Sequence, residues 1–108
     1  MVAIYNNVIS NENNIDFVKQ GKRYIKRRYE NISSKDIIVY EDRNPHRSYK
    51  KKEKFMKLLN ELQQYKIKTI ICYDYSKITN SCKEFVELLD YLALFQVELI
   101  GINNKFQT

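Results

Sequence analysis

Four short apolar runs, separated by stretches of helical periodicity, constrain the fold of this 108-residue chain more than any other feature. Each run is rich in β-branched residues and is short enough for a buried strand. We predict strands over residues 2–9, 36–41, 67–74 and 96–102. The chain then alternates strand and helix from end to end, and this alternation indicates an α/β fold.

The three intervening stretches carry apolar residues at three- and four-residue steps, which is typical of the buried face of a helix. The first such face comprises Val18, Gly21, Ile25, Tyr29 and Ile32. The second comprises Phe55, Leu58, Leu59, Leu62 and Tyr65. Before the third helix, Ser81 is followed three residues later by Glu84, a spacing that predicts a capping box at the helix start.

The strands carry continuous apolar runs, so both of their faces should be buried. We therefore predict a three-layer α/β/α fold with a mostly parallel sheet of at least four strands, in the order 2-1-3-4. In open sheets of this kind the functional crevice lies beyond the carboxyl ends of the strands. A site is thus expected among the loops over residues 6–14, 42–52 and 75–81.

Charge is distributed unevenly along the chain. Residues 1–77 carry 17 lysines and arginines against 9 acidic residues, whereas residues 78–108 carry 2 against 4. Most of the excess lies in two basic clusters, within residues 19–28 and 43–57. Such clusters suit a polyanionic partner such as nucleic acid, and they are equally compatible with solvated helix faces.

The sequence lacks the features of membrane, secreted and metal-binding proteins. No apolar run approaches the roughly 20 residues that span a bilayer, and the N-terminus does not read as a signal peptide. We therefore predict a cytoplasmic protein of one domain, over residues 1–108. Cys72 is expected to be a buried structural cysteine, and a single histidine, His46, with two scattered cysteines does not make a zinc site. We expect no metal and no cofactor.

Four segments of the chain, in order, resemble one known family. In the resolvase/invertase group of serine site-specific recombinases the opening strand reads apolar-apolar-Tyr-x-Arg-Val-Ser, which is similar to VAIYNNVIS. The second strand, its Glu-Asp turn and the mobile loop of the family resemble VYEDRNPHRSYKKKEKFMKLL. Its third strand and Asp-x-Ser-Arg-x-Ser-Arg-Asn turn resemble IICYDYSKITNS, and the next helix and strand resemble FVELLDYLALFQVELIGINN.

This resemblance implies a chemistry. In the family, a serine hydroxyl attacks a DNA phosphodiester and forms a phosphoserine link to the DNA end. Arginines hold the charge of the transition state through forked hydrogen bonds, and neither metal nor nucleotide is required. Family members continue into a long dimerisation helix and a separate DNA-binding region, both of which we expect to be absent from this chain.

Most positions that the resemblance marks as catalytic are substituted here. The serine position falls on Ile9, which offers no nucleophile. The arginine positions fall on Asn7, Lys51 or Lys52, Lys77 and Asn80. Lysine keeps the positive charge but lacks the planar fork of arginine. Losing one transition-state donor typically costs about 100- to 1000-fold in rate, so we predict that the family's cleavage reaction is lost.

Other positions keep the family residue or offer a substitute for it. Asp42 matches the acidic residue of the Glu-Asp turn, and Asp74 and Ser76 match the third motif. Ser10 lies one residue beyond the nucleophile position. A one-residue slip in a strand turns a side chain to the opposite face, so Ser10 could act as a nucleophile only after a bulge in the strand.

The sequence therefore predicts a recombinase-like catalytic domain that does not cleave DNA and keeps a DNA- or protein-binding role. The candidate phosphate contacts at the crevice are Arg47, Lys51, Lys52 and Lys77. We expect weak, non-specific DNA binding, with a second copy of the chain or a recombinase as further partners and no membrane. Two alternatives stay open, namely an active recombinase domain that uses Ser10 and a pure protein-interaction module that modulates a partner recombinase.

Overall fold

The computed structural model describes residues 1–8, 17–43 and 45–103, which form a four-stranded sheet with three α-helices. The strands are β1 (Val2–Asn7), β2 (Ile37–Asp42), β3 (Thr69–Cys72) and β4 (Glu98–Gly101). All neighbouring pairs are parallel, and the order is β2-β1-β3-β4. The α/β class and the predicted strand order are confirmed.

The last two strands are shorter than their apolar runs suggested. Ile67 is 1% exposed although it precedes β3, and Val97 is buried although it precedes β4. Both side chains therefore fill the core from residues that lie just before the hydrogen-bonded part of the strand. Burial therefore extends further along the chain than strand pairing, and the sequence pattern reports burial.

Three helices cover the sheet, namely α1 (Phe17–Arg28), α2 (Glu53–Asn60) and α3 (Cys82–Leu94). Alternate residues of β1 enter different cores, because successive side chains of a strand point to opposite faces. Val2 and Ile4 pack in the core on the α1 side, whereas Ala3 and Tyr5 pack with the apolar residues of α2 and α3. The predicted three-layer arrangement is thus confirmed.

The helix α1 lies close to the central strand and presents its basic residues outward. A Cβ atom at Gly21 would lie 3.2 Å from Cδ1 of Ile4, so glycine permits this close approach. The exposed residues Lys22, Arg23 and Lys26 lie on the outer side of the same helix. The basic cluster at residues 19–28 therefore covers the face of the domain that is opposite to α2 and α3.

The two cysteines lie in different environments. Cys72 is fully buried in β3, as predicted, and burial raises the pKa of its thiol well above the ordinary value. Cys82 is exposed and is the first residue of α3. Among the described residues, no group of histidine, cysteine and acidic side chains could hold a metal ion, and no helix is long and apolar enough to cross a membrane.

Candidate functional site

The carboxyl ends of β1, β2 and β3 meet at one edge of the sheet, and most of the candidate residues lie there. Asn7 ends β1 in register with Asp42, which ends β2. The Asn7 side chain is 3% exposed, and its amide donates to the Lys77 carbonyl over 3.4 Å. A neutral, buried amide therefore joins β1 to the turn after β3, at a position where the resemblance implies an arginine.

The Asp42 carboxylate has a structural role at this edge. It accepts hydrogen bonds from the Tyr5 hydroxyl at 2.8 Å and from the amides of Lys54 and Phe55 at 2.9 and 3.1 Å. These amides belong to the first turn of α2, whose N-cap residue is Lys52. A lysine side chain has no acceptor oxygen, so Asp42 caps the helix from the neighbouring strand.

Tyr5 and Asp42 form a buried pair, and this burial changes the pKa of the Tyr5 phenol. Tyr5 is fully buried, and desolvation, followed by its hydrogen bond to Asp42, raises the pKa of the phenol far above its ordinary value. The hydroxyl therefore keeps its proton and remains a donor to the carboxylate. The hydrogen bonds of these two side chains connect β1, β2 and the start of α2.

Lys52 lies inside the loop that precedes α2. Its side chain is 1% exposed, and its ammonium group donates to the backbone carbonyl of His46. Desolvation lowers the pKa of Lys52, while the carboxylates of Asp42 and Glu84 act in the opposite direction. Because Lys52 is buried, a contact between its ammonium group and a DNA phosphate, as predicted from the sequence, would require the side chain to move to the surface.

The other candidate cations lie on or near the surface of the same edge. Arg47 and Lys51 are exposed and Lys77 is half-buried. The backbone amide of Asn80 donates to the Arg47 carbonyl at 3.0 Å, so the loop before α2 touches the segment before α3. The structure thus brings Asn7 next to Lys77, and Arg47 next to Asn80.

The nucleophile candidates Ile9 and Ser10 lie outside the described residues. The described part of the first motif ends at Val8, whose amide donates to the Asp42 carbonyl at 2.8 Å. In the third motif, Asp74 accepts hydrogen bonds from the Ser76 amide at 3.0 Å and from the Ser76 hydroxyl. These two matching residues stabilise the turn Tyr75–Lys77 that carries Lys77.

Glu84 was predicted from the sequence only as part of a capping box, and the structure places its carboxylate in the site. The Ser81 hydroxyl accepts from the Glu84 amide at 3.2 Å, which confirms one half of the predicted capping box. The other half is wrong, because the Ser81 amide donates to the Thr79 hydroxyl and the Glu84 carboxylate bonds elsewhere. Its donors are the Ser48 hydroxyl at 2.8 Å, the Thr79 hydroxyl at 3.0 Å and the Tyr49 amide at 3.3 Å.

These donors favour the charged form of the Glu84 carboxyl. Its pKa lies below the ordinary value, and the hydrogen bond from Ser48 is the largest cause. One turn further along α3, Glu87 pairs with Lys50 at 3.3 Å, and both of those side chains are about half exposed. Glu84 and Glu87 therefore both contact the loop before α2, but of the two only Glu84 accepts a hydrogen bond from the backbone of that loop.

Solved structures of an integrase domain and of a transposon protein share this fold. The N-terminal catalytic domain of TP901-1 integrase superposes with a TM-score of 0.73 at 19% identity, covering 94% of this chain and 76% of that one. The first open reading frame of transposon ISC1904 from Sulfolobus solfataricus P2 gives a TM-score of 0.65 at 19% identity, covering 99% and 70%. At these identities the likeness concerns the fold alone.

A third structure extends the comparison to a serine recombinase. The C-terminal catalytic domain of ISC1926 TnpA, an IS607-like serine recombinase, gives a TM-score of 0.59 at 13% identity, covering 100% of this chain and 73% of that one. No curated protein matches the chain in sequence. The family model described as Resolvase, N terminal domain, matches residues 3–108, which is nearly the whole length. The chain therefore belongs to the family of resolvase N-terminal domains.

Proposed function

We propose that this chain is a serine-recombinase-type domain that binds DNA at the carboxyl edge of its sheet and does not cleave it. The observation that carries the proposal is the state of the substituted arginine positions. The Asn7 amide bonds a backbone carbonyl, and the Lys52 ammonium group is buried against another. Neither group presents a fork to a phosphate, whereas exposed cations surround the same edge.

Electrostatics supports the binding part of the proposal. Arg43, Arg47, Lys51 and Lys54 are exposed on the segment that runs from the end of β2 into α2. Several such cations on one segment suit the closely spaced phosphates of duplex DNA. Phosphate contacts carry no sequence information by themselves, so we expect a dissociation constant of about 10–100 μM with little preference among sequences.

We expect the protein to form no covalent adduct with DNA. Ile9 occupies the nucleophile position, and isoleucine cannot attack phosphorus. Ile9→Ser is expected to remain inactive as well, because Asn7 and Asn80 leave the charge of the transition state poorly held. Labelled duplexes, including suicide substrates with a nick, incubated with each protein and run on denaturing gels would show any adduct.

The same gels test whether any cleavage activity remains or can be restored. A shifted band that disappears in Ser10→Ala would identify an active domain that uses Ser10 and would overturn the proposal. A shifted band with Ile9→Ser alone would show that the lysines and asparagines suffice as phosphate ligands. Ile9→Val serves as the matched control, because it changes the same side chain without adding a hydroxyl.

A protein-interaction module is the second candidate, and one observation favours it. Four large hydrophobic side chains of α3 are exposed, namely Val86 at 57%, Leu89 at 41%, Tyr91 at 37% and Leu94 at 78%. Val86 and Leu89 are three residues apart and therefore neighbours on one side of the helix, and an exposed apolar patch is typical of a protein-contact surface. Retention of a full-length serine recombinase on the immobilised protein, with no DNA binding at low salt, would favour this function over the first.

A further inference from the structure

Glu84 connects two segments of the chain that are far apart in sequence. Its carboxylate accepts from Ser48 and Tyr49, which lie 36 and 35 residues away in the loop before α2. It also accepts from Thr79, in the segment that leads into α3. One side chain thus receives three hydrogen bonds and bridges two of the loops at the carboxyl edge.

We propose that Glu84 is the positioning residue that holds Arg47 and Lys51 at the DNA-binding edge, by fixing the loop before α2 to the start of α3. This inference rests on the proposed function, because it concerns the geometry of the same basic residues. Glu84 carries negative charge and therefore does not bind phosphate itself. It acts through the loop.

The hydrogen bonds of Ser48 extend the effect of Glu84 to both cations. The Ser48 hydroxyl donates to Glu84 and accepts from the Lys50 amide at 3.2 Å, which begins the 3-10 helix Tyr49–Lys51. Arg47 precedes Ser48, and its carbonyl accepts from Asn80. Hydrogen bonds therefore hold the backbone on each side of Ser48. This backbone sets the direction in which the side chains of Arg47 and Lys51 leave the loop.

Helix capping by the Glu84 side chain does not account for these contacts. The N-cap of α3 is Ser81, whose hydroxyl accepts from the backbone amide of Glu84. That bond needs only the backbone of residue 84 and survives a change of its side chain. The carboxylate bonds none of the helix amides of α3 in the described structure, and its backbone donor is Tyr49 in the loop.

Charge and positioning predict opposite effects on DNA binding. If Glu84 acted only as a negative charge near the basic loop, neutralising it would strengthen DNA binding, because repulsion of the phosphates would fall. If it positions the loop, shortening the side chain at constant charge weakens binding, because Arg47 and Lys51 lose their fixed geometry. Variants that change length and charge separately therefore distinguish the two roles.

Glu84→Asp keeps the charge and withdraws the carboxylate by one methylene. We expect trypsin to cleave after Arg47, Lys50 or Lys51 about tenfold faster, because local opening of the loop becomes easier. Affinity for a fluorescein-labelled 20-base-pair duplex should fall about fivefold in anisotropy titrations. The matched control is Glu87→Asp, one turn along α3, for which we expect both values to stay within about twofold of the parent.

Glu84→Gln and Ser48→Ala complete the design. Glutamine keeps the length and one acceptor oxygen, so it should lower DNA affinity less than aspartate does. Ser48→Ala should accelerate tryptic cleavage, and its effect should be less than additive with Glu84→Asp, because both changes break the same bond. Thermal unfolding of each variant, followed by circular dichroism, separates loop opening from loss of the fold.

Each outcome bears on the proposal. Unchanged cleavage of the loop in Glu84→Asp overturns the positioning role, whatever happens to DNA binding. Faster cleavage with unchanged DNA affinity shows that Glu84 orders the loop but does not set the DNA contacts, and this too overturns the proposal as stated. If the parent protein binds no DNA, the proposed function fails, while the cleavage rates still report on the link between Glu84 and the loop.

Discussion

Asp42→Ala is expected to lower the free energy of unfolding by about 2–4 kcal/mol. The substitution removes one acceptor from three donors at once. The Tyr5 hydroxyl is left buried without its partner, and the amides of Lys54 and Phe55 at the start of α2 lose their cap. The cap alone is worth about 1 kcal/mol, and a stranded buried donor costs about 1–3 kcal/mol. Urea unfolding followed by circular dichroism measures the difference.

Two milder variants test the same explanation. Tyr5→Phe removes a donor without stranding the carboxylate, which keeps its two amide partners, so about 1 kcal/mol is expected. Asp42→Asn keeps one acceptor oxygen and should fall between Tyr5→Phe and Asp42→Ala. The Tyr5→Phe and Asp42→Ala effects should be less than additive when combined, because the residues share a bond. A loss below about 1 kcal/mol in Asp42→Ala would contradict the structural role of this carboxylate.

DNA affinity is expected to fall about 100-fold between 50 and 200 mM salt. This estimate assumes that about four phosphates are neutralised, each contributing about −0.9 to the slope of log affinity against log salt. Arg47→Ala with Lys51→Ala should reduce the magnitude of that slope by about two units. Lys52 is left unchanged in this test, because it is buried against the loop.

The basic helix α1 provides the control for the DNA measurement. Lys22→Ala with Lys26→Ala removes the same charge from exposed positions on the opposite face of the sheet. This variant should leave the salt slope nearly unchanged if the carboxyl edge is the binding surface. An equal reduction by both double variants would mean that the protein binds as a general polycation, and the edge would lose its special role.

The architecture could be predicted from the sequence because it depends on local patterns. Strands with continuous apolar runs require cover on both faces, and the helical periodicities supply that cover. The ends of the elements were less predictable. Leu62 continues the apolar pattern of α2 and is buried, yet it follows the end of the helix at Asn60. A side chain can serve the core from a turn, and periodicity does not distinguish the two cases.

The site was less predictable because its contacts are long-range. The spacing of Ser81 and Glu84 predicted a local capping box, whereas the Glu84 carboxylate bonds a loop about 35 residues earlier. Lys52 was predicted as a surface contact, since a lysine in a run of lysines is usually exposed. Its burial depends on how the loop folds back over the start of α2, which no local pattern reports. The roles assigned to Ile9 and Ser10 stay predictions, because both residues lie outside the described part of the chain.

The contrast between Cys72 and Cys82 makes the protein suited to selective labelling. The Cys72 thiol is inaccessible and resists ionisation, so maleimide dyes should react with Cys82 alone without any prior mutagenesis. Cys82 begins α3, two residues before Glu84 and two after Asn80. A fluorophore at this position would lie close to the loop before α2, which Glu84 contacts. The sequence thus already carries an attachment point for a fluorescent reporter of the proposed DNA binding and of movement of the loop.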